Sequence, residues 1–413
     1  MEKTTYKYEL ALSYAHKDEP VAATISEEFK NIFQDRFFKD TIHSHELSSA
    51  ADFKKRLRYL FSVSHYAVIL YSPNYQKGEF AQVELKAITE LYGRDANPRF
   101  FIINIDDTPI KEESLKGLTY ILLPLEGKTV SEKKKLIKEI VHNQIKKYIM
   151  KQTLSDFGDS YGISVRTLFA EGNTPIWEPQ YNWNLFTTEF INSESRKLKS
   201  EYTWNELWKY VKADFTEIYS HLKIMPAYQC TINLNCHLSI AYKLGLLYGD
   251  LSLPEHRNLT LKSGKGHPFT FAAKRACPSE ENAFSCSESG GNDSFADSII
   301  CMVSLTSRDA YGLPETVRKS VELNQIKYKN IFMFFAAIKI ENTDMLEQIV
   351  DSLEEQLAAA RAYSCADNIH LFLRAPAALA FVLGNKKIFP GNIILYEYDQ
   401  SSDSYAKSLE RND

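Results

Sequence analysis

Residues 65–92 read HYAVILYSPNYQKGEFAQVELKAITELY, and this stretch decides the fold of the N-terminal region. His65 to Tyr71 is apolar almost without interruption, the pattern of a strand buried on both faces. Glu79 to Tyr92 changes to helical period, with apolar residues at Phe80, Val83, Ala87, Ile88 and Leu91. Reading outward, the same alternation continues. Tyr8 to Ala15, Arg36 to Phe38, Arg99 to Ile105 and Leu118 to Leu122 are predicted strands. Glu19 to Phe33, Asp52 to Phe61 and Ser131 to Ile149 are predicted helices. Five strands alternating with helices over residues 1–150 imply a doubly wound α/β domain with a parallel sheet.

Residues 151–170 have weak periodicity and read as a connector, and 171–413 as a second α/β unit. Ser287 to Ser294 (SESGGNDS) reads as a flexible surface loop within it. An internal echo is present. Strand Thr231 to Cys236 is followed by His237-Leu-Ser239-Ile-Ala241 and Gly245. Strand Asn368 to Arg374 is followed by Pro376-Ala-Ala378-Leu-Ala380 and Gly384, in the same register 139 residues later. Small residues on a helix's first turn let it pack closely on its strand. The echo predicts a two-lobed, Rossmann-like unit.

The 413 residues are 44% hydrophobic and 25% charged, the composition of a folded globular chain. The net charge of −4 leaves no global basic field for duplex nucleic acid. Residues 1–150 carry +2 and the remainder −6, a balance that still allows a local site for a small anion. The longest apolar run, Ile331 to Ile338, is far short of the roughly 18 residues of a membrane span. Met1 to Leu10 is polar, with no signal-peptide core, so a cytoplasmic location is expected. The six cysteines, Cys230, Cys236, Cys277, Cys286, Cys301 and Cys365, form no C-x-x-C pair. They are expected to be reduced thiols, with no structural metal.

Within helix 79–92, Glu84 stands at i+4 of the apolar stripe. At about 100° per residue it falls about 40° from Phe80 and about 20° from Leu91, on the apolar face. Glu is rarely buried unless paired. Either it reaches out from the stripe's edge, or it is a carboxylate at the C-terminal edge of the sheet, where open α/β sheets bind ligands.

Ser72-Pro-Asn74-Tyr75 followed by Phe80-Ala81 and Glu84-Leu85 resembles the Toll/interleukin-1 receptor (TIR) domain pattern. Leu12-Ser13-Tyr14-Ala15 with Asp18 resembles that family's first box, and Phe38-Lys39-Asp40 its second-strand segment. Thr41 to Asp52 stands at the BB loop but lacks the usual Gly, and Gly78, Phe80 and Ala81 replace Ser, Trp and Cys. The resemblance implies a flavodoxin-like fold. Many bacterial TIR domains hydrolyse NAD, and their catalytic Glu maps to Glu84, with Ser13, Tyr14, Phe38 and Lys39 near the substrate. A single carboxylate suits the reaction. Nicotinamide leaves as a neutral base, so no general acid is needed, and the group to stabilise is an oxocarbenium-like ribosyl cation. NAD would be substrate rather than cofactor. The family also implies BB-loop contacts between copies, placing His45 and Glu46 at an oligomer contact. Other TIR domains are adaptors without activity, and a third reading is a cyclase that makes a nucleotide signal from NAD.

The echoed segments, together with Asn392 to Asp399 (NIILYEYD), resemble the SAVED domain. That family is linked to recognition of cyclic oligonucleotides in anti-phage signalling. The resemblance implies an effector whose NAD cleavage is switched on by a cyclic oligoadenylate, most simply cyclic tri-adenylate. Pro376 opens a helix after a strand, a place where anions bind, with Arg374 just before it. Ser239 opens the equivalent helix, and Ser304, Thr306, Ser307 and Arg308 end another strand. These residues and Lys199 of the basic run Arg196 to Lys199 are the candidate ligand contacts, each of which could equally be a helix cap or an ion pair. Ser263-Gly-Lys-Gly266 lacks the spacing of a phosphate-binding Walker loop.

Overall fold

The computed structural model describes residues 6–39, 53–92, 99–155, 160–168, 176–178, 180–192, 194–222, 229–250, 258–263, 268–271, 285–305, 313–336, 340–364, 366–389 and 391–412. The chain divides into two units, Met1–Thr153 with Pro175–Pro179, and Leu154–Thr174 with Gln180–Asp413.

The first unit is built on β1 (Tyr8–Tyr14), β2 (Phe37–Phe38), β3 (Ser64–Tyr71), β4 (Phe100–Ile105) and β5 (Ile121–Leu123). These form one parallel sheet in the order β2-β1-β3-β4-β5. Its helices are α1 (Glu19–Phe33), α2 (Phe53–Ser62), α3 (Pro73–Lys77), α4 (Glu79–Tyr92) and α5 (Val130–Ile140), continued through a π-helical turn into α6 (Lys147–Ser155). The central strands are apolar on both faces because helices cover both. The chain order reverses beside β1 and β3, which is where such sheets open a crevice at their C-terminal ends. In register, Ser13 lies against Ile69 and Tyr14 against Leu70, so both side chains reach that edge together with the end of β3.

The second unit holds two sheets. One has the order β10-β9-β8-β6-β7, with β6 (Ser160–Arg166), β7 (Trp183–Phe186), β8 (Gln229–Asn235), β9 (Asn258–Lys262) and β10 (Phe269–Phe271). The other has the order β11-β13-β12-β14-β15-β16, with β11 (Ser285–Gly290), β12 (Ser298–Ser304), β13 (Asn330–Phe335), β14 (Asn368–Arg374), β15 (Asn392–Asp399) and β16 (Ser404–Glu410). The helices are α7 (Trp204–Leu222), α8 (Leu238–Asp250), α9 (Glu315–Leu323), α10 (Thr343–Ser364) and α11 (Ala377–Asn385).

The echoed helices α8 and α11 pack directly on each other. A Cβ on Gly245 would overlap the carbonyl oxygen of Phe381, and one on Gly384 that of Tyr242. Each glycine meets the carbonyl three residues before the partner glycine. This reciprocity is what a pseudo-two-fold relation between the repeats produces.

Two expectations are corrected. Residues 151–170 are not a connector: Ser160–Arg166 forms β6, buried between β7 and β8. Its SYGISVR sequence mixes polar and apolar residues because Ser164 is buried within hydrogen-bond range of Asn233. The run Ser287 to Ser294 is not wholly a loop, since Ser285–Gly290 pairs antiparallel with β13. An edge strand needs partners on one side only, so polar side chains suffice. Gly291 follows where a Cβ would strike the carbonyls of Tyr328 and Lys329.

Cys230, Cys236 and Cys301 are buried free thiols and Cys286 an exposed one, while Cys277 and Cys365 lie outside the described residues. Burial pushes Cys230 up to about 12, so that thiol stays protonated and unreactive. Among the described residues no helix is long and apolar enough to cross a membrane.

Candidate functional site

In the first unit α4 carries its buried stripe on Ala81, Glu84, Leu85, Ala87, Ile88 and Tyr92. The helix is rotated from the orientation expected. Phe80, predicted as part of the stripe, is 65% exposed, while Glu84 is only 8% exposed. The cause is the far end of the helix. Tyr92 turns inward and its hydroxyl donates to the Ser64 carbonyl at 2.7 Å and to that of Phe61. Holding Tyr92 inside brings Ala81, Leu85 and Ile88 onto the core and leaves Phe80 outside.

Glu84 faces the end of β1. The Ser13 hydroxyl donates to its Oε2 at 2.5 Å, and Ser13 Oγ lies 2.8 Å from the Tyr75 hydroxyl. Ser13 has one proton and gives it to the carboxylate, so Tyr75 is the donor in the second bond. Burial, then the charge of Glu84, raises the Tyr75 phenol well above its usual range and keeps that proton in place. The chain Tyr75 to Ser13 to Glu84 therefore fixes the carboxylate. Tyr75 is itself held by α3, whose cap Ser72 accepts from the backbone N–H groups of Asn74 and Tyr75. Asp18 accepts from Ser72 and, at 2.6 Å, from Asn74 Nδ2, tying this turn to the segment after β1.

Tyr14 and Lys39 meet on Glu19. The Tyr14 hydroxyl donates to Glu19 at 2.5 Å and the Lys39 ammonium donates to it at 2.7 Å. Burial works against the Glu19 carboxylate, but the bonds from Lys39 and Tyr14 prevail and lower its pKa. Phe38 is a core residue against Tyr8. His45 and Glu46 lie outside the described residues. Of the residues named from sequence, Ser13 and Glu84 are brought together, and Tyr14 and Lys39 form a neighbouring cluster around a carboxylate the sequence reading did not single out.

In the second unit a cavity of about 470 Å³ lies where α8 and α11 begin, lined among others by Cys236, His237 and Leu238 and by their echoes Ala375, Pro376 and Ala377. Arg196, Lys197, Glu397 and Asp399 also line it. Lys197 pairs with Asp399 at 2.8 Å. Burial opposes the Asp399 charge, but bonds from Lys197 and Ser401 outweigh it and hold the carboxyl at about 2. His237 Nε2 lies 3.1 Å from the Arg196 carbonyl, which can only accept, so this nitrogen carries the proton. Nδ1 then accepts from Thr167 at 2.7 Å, and Thr167 Oγ1 accepts from the His237 backbone N–H at 2.8 Å. Burial lowers His237 to about 4, so the ring is neutral.

Several candidate contacts stand elsewhere. Ser239 is buried, and its backbone N–H donates to Glu397 at 2.5 Å, so a carboxylate already occupies the start of α8. Arg374 is absent from the cavity lining and reaches toward Thr316 at 3.5 Å. Lys199 donates to the Thr188 carbonyl at 2.9 Å, and it is Arg196 and Lys197 of the same run that line the cavity. Ser304 is buried at the end of β12, while Thr306, Ser307 and Arg308 lie outside the described residues. Pro376 lines the cavity as the cap of α11.

Burial raises Glu397 from its ordinary 4.5 to about 7 against the bond from Ser239. The folded state therefore holds its proton more tightly than the unfolded chain. Stability from this group is full below about pH 4.5 and is lost as pH rises through about 7, a fall of about 3 kcal/mol. Glu397→Gln keeps an acceptor for Ser239 and removes the charge. Urea unfolding followed by tryptophan fluorescence should show the variant more stable than wild type at pH 8, and matched to it near pH 5. An equal pH slope in the two proteins would remove Glu397 as its origin.

A family model described as the TIR domain matches residues 10–137. A second, described as the SMODS-associated and fused to various effectors sensor domain (SAVED), matches residues 231–410. The chain thus joins an N-terminal TIR domain to a C-terminal SAVED domain. No curated protein matches it significantly. Among solved structures, the Acinetobacter baumannii Cap4 SAVED/CARF-domain containing receptor with the cyclic trinucleotide 3'3'3'-cAAA is 14% identical, covering 100% of this chain and 82% of that chain, at a TM-score of 0.47. The Moraxella osloensis Cap4 receptor is 15% identical over 88% of this chain and 86% of that chain, at a TM-score of 0.42.

Proposed function

We propose that this protein is an NAD glycohydrolase, switched on when its SAVED domain binds a cyclic oligoadenylate. The observation that carries the reading is the buried Glu84 carboxylate, held by Ser13 at the C-terminal edge of a TIR sheet. A fixed anion there stabilises the ribosyl cation that forms as the nicotinamide–ribose bond breaks, and water then takes C1′. Fixing the carboxylate beforehand avoids reorganisation during the reaction. The inter-lobe cavity supplies the sensor. Arg196 and Lys197 bring cationic donors to its wall, beside Glu397 and the Asp399 that pairs with Lys197.

Ligand-driven assembly connects the two. A ligand that brings copies together raises the local concentration of TIR domains into the millimolar range, as linked modules do. A head-to-tail contact does not close on itself, so multimers or filaments follow. The BB loop, with His45 and Glu46, is the proposed contact. In the cytoplasm of an infected cell the result is NAD depletion as anti-phage defence.

The test is one incubation. Purified protein is mixed with NAD and cyclic di-, tri- and tetra-nucleotides, and nicotinamide and ribosyl products are measured. Cyclic tri-adenylate should release nicotinamide and ADP-ribose, with multimers by light scattering, and Glu46→Arg should block both without changing ligand affinity. Nicotinamide with a cyclised product would make the enzyme a cyclase. Multimers without cleavage would make it an adaptor. Full-rate cleavage by ligand-bound monomers would remove assembly as the switch.

A further inference from the structure

The wall of the inter-lobe cavity carries an acid where a ligand with several phosphates is proposed to bind. Glu397, near the end of β15, is 9% exposed and lines the cavity. Its Oε1 accepts from the Ser239 N–H at 2.5 Å, and His237 and Leu238, just before Ser239, line the cavity too. The carboxyl group therefore stands at the cavity's edge, where α8 begins. It takes a helix N–H of the kind a phosphate oxygen uses, and as an anion it repels phosphate. The phosphates of a ligand are left to Arg196 and Lys197, and what meets Glu397 is a base.

Burial sets the protonation of this group, raising it to about 7. Cys236 at the end of β8, Arg196, Lys197, Tyr398 and Asp399 share its wall with His237, which is neutral. Lys197 is paired with Asp399 at 2.8 Å, Arg374 of β14 reaches toward Thr316, and Ala406 of β16 lies opposite Glu397 in register. A neutral carboxyl offers one O–H donor beside one carbonyl acceptor. Adenine's pairing edge is the complement, with N1 accepting and the N6 amine donating, and cytosine has the same pattern. The carbonyl oxygen has two lone pairs, so it serves Ser239 and the amine together. Guanine and uracil set a ring N–H against the O–H, donor against donor.

Given the inter-lobe cavity as the nucleotide site, on which this reading rests, we propose that Glu397 determines base specificity, pairing as a carboxylic acid with the N1 and N6 edge of an adenine. Ligand binding is then coupled to a proton, since the base holds the acid form. An ionised carboxylate would suit the two donors of guanine instead, so burial of Glu397 is what turns the site toward adenine.

Isothermal titration of the full chain with cyclic tri-adenylate and cyclic tri-guanylate, from about pH 6 to about pH 8.5, tests the assignment. Wild-type affinity for tri-adenylate should be steady below about pH 6 and fall about tenfold per pH unit above about 7. Across that range His237 stays neutral, Asp399 charged and the buried Cys236 thiol protonated. Two buffers of different ionisation enthalpy at about pH 8 should show uptake of about one proton per site. Tri-guanylate should bind at least about tenfold more weakly at about pH 6. Glu397→Gln keeps an acceptor for Ser239 and the amine, and its NH2 group donates to N1. It should bind tri-adenylate within about threefold of wild type at about pH 6, with no fall at higher pH and no proton uptake. A flat wild-type profile, an equal slope in Glu397→Gln, or equal affinity for the two rings would overturn the role of Glu397 and leave the cavity a nucleotide site. Binding of neither ring would overturn the nucleotide site and the role of Glu397 with it.

Discussion

Glu84→Gln is expected to lower ligand-activated NAD cleavage by about 100-fold or more while leaving the fold intact. The size of the effect follows from the role proposed. Losing one preorganised electrostatic group at a forming charge typically costs about 100- to 1,000-fold in rate. The fold survives because glutamine still offers Ser13 an amide oxygen at the position of Oε2. Equal melting temperatures and equal affinity for the cyclic nucleotide would separate lost chemistry from lost structure. Ser13→Ala gives the graded case. It removes the 2.5 Å bond that fixes the carboxylate but leaves the charge, so the loss should be real and clearly smaller than in Glu84→Gln. Retention of most of the activated rate in Glu84→Gln would make another residue the catalyst.

A bulky residue at the crossing of α8 and α11 should strongly destabilise the second domain. Gly245→Val and Gly384→Val each force a side chain onto a backbone carbonyl of the facing helix. Backbone cannot swing aside as a flexible side chain can, so the helices must separate. Overpacking of this kind costs about 1–3 kcal/mol and sometimes more, and here the obstruction is rigid on both sides. Since domains are stable by only about 5–15 kcal/mol, a cost of about 3 kcal/mol or more removes a large share of the margin. The expected result is loss of cyclic-nucleotide binding and a large fall in the urea midpoint, equal in the two variants because the contacts are reciprocal. Gly290→Ala is the control, since no atom lies within 4 Å of a Cβ there. Wild-type stability in Gly384→Val would mean that the two helices do not approach this closely.

The extent of what could be read in advance varies by element. Helices Glu19–Phe33 and Glu79–Tyr92 and strand Asn368–Arg374 have the bounds their sequence periods predict, and Asn392–Asp399, singled out by its resemblance to the SAVED domain, forms a strand over that same range. Strand β6 was hidden because its buried Ser164 is satisfied by Asn233, 69 residues away, so its polarity resembles that of a linker. Strand β11 was hidden because an edge strand exposed to solvent has no need of apolar residues. Thr41 to Asp52 and Thr306 to Arg308 lie outside the described residues.

Local pattern determined the α/β class, the parallel N-terminal sheet, the repeat of strand, helix and glycine in the second domain, and the placing of Glu84 on the inner face of its helix. These are properties of neighbours along the chain, where a period of two or 3.6 residues is imposed by the backbone itself. Tertiary structure alone decided the rest. The period locates a stripe but not its rotation, and the inward Tyr92 moved Phe80 outside. Ser13 meets Glu84 across 71 residues, and Ser239 meets Glu397 across 158. Arg196 and Lys197, not Lys199, line the cavity because Lys199 is drawn to the Thr188 carbonyl. Partners so far apart leave no trace in any local window. Their meeting depends on how strands are ordered and helices crossed, and burial then sets which charges a site can hold.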